Sequence, residues 1–76
     1  MNKQRRKELE RALELLEEAK QIVEICQSDE QECFENLNEG LQASERGQQF
    51  ETNADNLQCA VDEFDTVIEY INEAIQ

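Results

Sequence analysis

Carboxylates and thiols are the reactive side chains of this chain: it holds 19 Asp and Glu, three Cys and no His. Without His, the commonest general base and the commonest metal ligand are both missing. The Glu-x-x-His element of di-metal bundles cannot be built, and no twelve-residue calcium loop matches. Cys26, Cys33 and Cys59 have no CxxC spacing from which a zinc site or a disulfide framework starts. Tyr70, Ser28 and Ser44 have no base partner at a useful spacing, and Gly40 and Gly47 stand alone rather than in a phosphate-holding loop. These absences predict a protein that is not an enzyme and has no catalytic residues, metal site or cofactor. Paired acids such as Glu17-Glu18 and Asp62-Glu63 read as solvated exterior.

The acids nevertheless have an order. Glu10, Glu17 and Glu24 repeat every seven residues, and so do Asp55, Asp62 and Glu69. On helices each row would place a carboxylate every ~10.5 Å. Such rows serve solvation alone, or they imitate the charged backbone of a nucleic acid, whose duplex carries a phosphate per ~1.7 Å of axis. The net charge of −12 argues against direct contact with nucleic acid or an anionic membrane surface, and suits a basic protein partner.

Helices must carry these rows, and the apolar pattern predicts two long ones. Phe50, Ala54, Leu57, Val61, Phe64, Ile68, Ile71 and Ile75 alternate steps of four and three, the pattern of a helix packed along another. In the first half, Leu9, Leu16, Val23 and Leu37 share a line, with Ala12, Ala19, Cys26 and Cys33 three residues beyond each repeat. Leu13, Leu15, Ile22 and Phe34 widen that stripe. Cys26 and Cys33 are thereby expected on the seam as small buried hydrophobes, and Cys59 as an exposed free thiol. The phase is kept across Gln27 to Glu32, although Glu30 falls on a seam position and Ser28 with Gln31 resembles a capping box. One continuous first helix, about 4–38, is expected. Gly40 should end it in the left-handed conformation, Leu41 should fold back as a plug over the bundle end, and Ser44 should cap a second helix over about 45–75.

The whole is expected to be one all-α hairpin domain, residues 1–76. Its basic stretch Met1 to Lys7 opposes the helix dipole, and is expected to fray or to act as a docking arm. At 76 residues, 38% apolar and with a mean hydropathy of −0.84, the core is thin. A stripe this wide predicts pairing into a four-helix-bundle homodimer. Leu9, Leu16, Val23, Leu57, Val61, Phe64, Ile68, Ile71 and Ile75 are its expected seam.

The run Asn38-Glu39-Gly40-Leu41-Gln42-Ala43-Ser44-Glu45-Arg46, followed by Asp55-Asn56-Leu57 and heptads, resembles a family of small acidic helical proteins of phages and prophages of Gram-positive bacteria. Their turn typically reads Pro-Glu-Asn-Leu-Gln-x-Ser-Glu-Arg; here Asn38 replaces Pro and Gly40 replaces Asn. The resemblance implies phage context and assigns no catalytic residues. No membrane-spanning run and no signal peptide are read in the sequence, and the host cytoplasm is the expected location. The expected function is a non-catalytic inhibitor whose acidic rows bind a basic host protein, a nucleic-acid-binding defence enzyme by class, in the manner of DNA-imitating anti-CRISPR proteins. The alternative is a structural or assembly protein acting through coiled-coil self-association.

Overall fold

The computed structural model describes residues 1–76 and contains three helices: α1 (Lys3–Glu35), α2 (Glu39–Gln42) and α3 (Glu45–Ile75). Helices α1 and α3 lie antiparallel along each other in a rod of 58 × 15 × 13 Å. None of the helices is long and apolar enough to cross a membrane.

Each helix starts on a side-chain cap. The Asn2 side chain accepts from Arg5 N at 2.8 Å, so α1 begins at Lys3 and takes in the basic residues Lys3 to Lys7. The cap supplies an acceptor to one of the N-terminal amides that have no partner within the helix. Ser44 accepts from Gly47 N at 3.2 Å and opens α3 where the sequence places it. Ser28 lies in mid-helix: α1 runs unbroken through Gln27 to Glu32, as the preserved phase implies.

The turn differs from expectation. Helix α1 ends at Glu35, not near residue 38, and Asn36 N–H closes it onto Glu32 O at 3.0 Å. Asn38 then caps the four-residue α2 by accepting from Leu41 N at 3.0 Å. Gly40 sits inside that turn of helix with no left-handed backbone, since no residue of the chain has positive φ. An Asn cap restarts the helix at once, so no left-handed terminator is required. Leu41 is 51% exposed and closes nothing off. It lines the mouth of a groove with Leu37 and Phe50 instead.

The close packing of the fold is at this turn. Gly47 and Ala54 are the only buried residues. A Cβ on Gly47 would stand 2.5 Å from Gln42 O and closer still to Leu41 O, so only glycine lets α3 pass so near α2. Gln42 donates through Nε2 to Phe34 O at 3.1 Å, and Gln48 through Nε2 to Gln42 O at 3.1 Å, tying both long helices to the turn.

Candidate protein-interaction faces

The seam is the frame from which every other face follows. On α3 it is the expected one: Phe50, Leu57, Val61, Phe64, Ile68, Ile71 and Ile75 are half-buried and Ala54 is buried. On α1 the half-buried residues include Leu9, Leu13, Leu16, Lys20, Val23, Gln27, Glu30, Phe34 and Leu37, again in steps of four and three, together with Ala12, Ala19 and Gln31 at the borders of the stripe. The expected seam residues Leu9, Leu16, Val23, Leu57, Val61, Phe64, Ile68, Ile71 and Ile75 thus all lie in the hairpin's own interface.

One expectation is corrected here. Cys26 and Cys33 are exposed, not seam residues; Cys59 is exposed as expected. The line paired with Leu9, Leu16 and Val23 is Leu13, Lys20, Gln27 and Phe34. Long side chains at these positions bridge the space between helices; of the Ala and Cys line only Ala12 and Ala19 stay half-buried, at the seam's border, and Cys26 and Cys33 are exposed. Two polar members of the seam, Lys20 and Glu30, find partners on the opposite helix. Lys20 Nζ lies 2.6 Å from Asp65 Oδ1 and 3.6 Å from Glu24 Oε1. Asn53 Nδ2 donates to Glu30 Oε2 at 3.2 Å. The hydrogen bond to Asp65 raises the Lys20 pKa above its ordinary value, against a smaller opposing effect of desolvation. These cross-helix ties escaped the sequence reading. Their signals were the seven-residue spacing of Leu13, Lys20, Gln27 and Phe34, and the seam position of Glu30.

With the seam known, each helix has two flanks. On α1 the line Ala12, Ala19, Cys26, Cys33 lies about 60° round from Leu9 and Leu16, away from Leu13 and Lys20. On α3 the equivalent line is Asn53, Ala60, Val67, Ala74. Reversing one helix of the pair reverses its handedness of rotation and its facing direction together, so both lines border the same side. The shallow grooves of the surface are on that side: one is lined by Cys26, Glu30, Asn53, Asn56 and Leu57, the next by Leu16, Ala60, Glu63, Phe64 and Val67. Leu15, Ile22 and Tyr70 extend it outward, with Ile22 63% and Tyr70 69% exposed.

The opposite side is acidic. Lys20 holds Glu24 and Asp65 together there, which places the Glu10, Glu17, Glu24 row and Asp65 on one face. Asp55, Asp62 and Glu69 follow about 40° further round α3. All six row residues are exposed. Two rows read separately in the sequence are therefore brought to one side of the rod, behind the apolar flank. No group of three His, Cys, Asp or Glu is arranged to hold a metal ion.

No protein-family model, curated protein or solved structure matches the chain.

Proposed function

We propose that this hairpin is a non-catalytic acidic interaction protein. It lays its carboxylate face on the basic surface of a host protein, a nucleic-acid-binding defence enzyme by class, and obstructs the nucleic-acid path there as a DNA-imitating, anti-CRISPR-like inhibitor would. The observation that carries this reading is the gathering of Glu10, Glu17, Glu24, Asp55, Asp62 and Glu69 on one exposed side of a stiff rod. Rows repeating every ~10.5 Å are sparser than a duplex backbone, so they would reproduce its field rather than each phosphate. Such a field steers a basic partner before contact and sets orientation on arrival. The resemblance of the turn to phage proteins supplies the setting, a bacterial host's cytoplasm.

The same reading includes a homodimer, two hairpins forming a four-helix bundle. Only Gly47 and Ala54 of 76 residues are buried in one hairpin, which leaves its seam half open. That observation also favours the second reading, a structural protein whose principal partner is itself.

The test compares the tagged protein with the variant Asp55→Asn, Asp62→Asn, Glu69→Gln as bait in bacterial lysate. The captured protein should bind nucleic acid, be released by duplex DNA, and bind less tightly as ionic strength rises. The variant should retain helix content and lose most of the capture. Equal capture by the variant with unchanged salt dependence would remove the acidic face from the mechanism. Self-association that persists in the acidic-row variant, with no host protein captured by either bait, would support the assembly reading instead.

A further inference from the structure

We infer that the groove beside the turn binds the C-terminal carboxylate of a peptide whose last residue is apolar. The site is separate from the acidic face, for no residue of either carboxylate row lines it. At about 470 Å³ it is the largest of the three grooves, within the ~300–1,000 Å³ of small-ligand sites. Leu37, Leu41 and Phe50 form its apolar walls, and Leu41 is half exposed there. An apolar side chain between these walls would take that surface out of water.

The cation in the groove chooses the charge of the ligand. Arg46 is the only base after Lys20 in the sequence, yet it makes no ion pair with any of the many acids around it. Its guanidinium lies over the Phe50 ring instead, 5.6 Å from the centroid, and the ring holds it at the groove. Side-chain hydrogen bonds in the turn belong to Asn38, Gln42, Ser44 and Gln48. None of them uses the Arg46 guanidinium or the Asn36 side-chain amide, and both groups line the groove. A guanidinium takes a carboxylate through two parallel hydrogen bonds. One cation balances a monoanion, whereas a phosphate monoester would bring roughly two negative charges into a chain of −12. The Asn36 amide, donor and acceptor at once, matches the peptide bond before a C-terminal residue and has no counterpart in a fatty acid.

The native thiols supply the test, since Cys33 lines this groove while Cys26 and Cys59, also exposed, do not. Alkylation of each thiol by iodoacetamide is followed by mass spectrometry on the full chain, with acetyl-Gly-Gly-Leu as the probe. At millimolar probe, Cys33 should react several-fold more slowly, and Cys26 and Cys59 at unchanged rates. By titration calorimetry the same peptide with a C-terminal amide should bind at least ~10-fold more weakly, and so should the free acid to Arg46→Gln. The amidated peptide needs no variant, so the comparison stands even where Arg46→Gln loses helix. Absence of protection at Cys33, or equal protection of all three thiols, would overturn the site. Equal binding of the amide, or undiminished binding by a folded Arg46→Gln, would overturn carboxylate recognition. Decanoate that binds as tightly as the tripeptide would overturn the peptide in favour of a fatty acid.

Discussion

Lys20 reaches across the seam from α1 to Asp65 on α3, Nζ to Oδ1 at 2.6 Å, with its side chain only 20% exposed. A cation thus occupies a position that the heptad pattern reserves for an apolar side chain. It lies at the boundary between the two sides of the rod, its stem along the seam and its charge among the acids. The pair helps set the register of the two helices, since sliding α3 by one turn would separate it.

Removing the pair should lower stability in a pH-dependent way. Asp65→Asn should reduce Tm by a few degrees at neutral pH. Pairing raises the folded-state pKa of Lys20 above 10.5, so its contribution is complete below the unfolded value and is lost as pH rises through the folded one. The gap in Tm between the two proteins should stay constant from neutral pH to about 10 and close above that. A gap that persists unchanged at higher pH would show that the pair is not its source.

Gln27 is the seam position without a compensating partner, for no side-chain hydrogen bond reaches it. Gln27→Leu should therefore stabilise the hairpin by about 1 kcal/mol through added apolar burial. Chemical denaturation measures this directly, and a destabilised variant would show that the seam has no room there.

The two glycines should respond in opposite ways. At Gly40 an added Cβ meets nothing closer than Asn38 Oδ1 at 3.5 Å, and Gly40→Ala should stabilise by about 0.5–1 kcal/mol. At Gly47 the same methyl group enters the backbone of Leu41 and Gln42, and Gly47→Ala should cost about 1–3 kcal/mol despite better helix propensity. Thermal melts of both variants report the signs.

Two serines provide a matched test of helix boundaries. Ser28 is an exposed mid-helix residue, so Ser28→Ala should be neutral or stabilising by about 0.5 kcal/mol. Ser44 caps α3, and Ser44→Ala should cost about 1 kcal/mol. A comparable loss at Ser28 would place a helix break where the structure has none.

Periodicity was enough to predict the hairpin, the seam face of α3 from Phe50 to Ile75 and the Ser44 cap, because each depends on spacing within a short stretch of chain. The acidic rows were legible for the same reason. The seam of α1 was legible only in part. Its Leu9, Leu16, Val23 line has Ala and Cys on one side and Leu13, Lys20, Gln27 and Phe34 on the other. Hydrophobicity favours the first side. Beyond Lys20 packing takes the second, since Lys20 finds Asp65 and the long stems of Gln27 and Phe34 fill the space between helices. That rotation of α1 exposes Cys26 and Cys33 and turns Glu10, Glu17 and Glu24 to the side of Asp65. Local spacing can say which residues share a helix face. Which face meets the other helix depends on partners far away in the chain, 23 residues for Glu30 and Asn53, and those meet only when it folds.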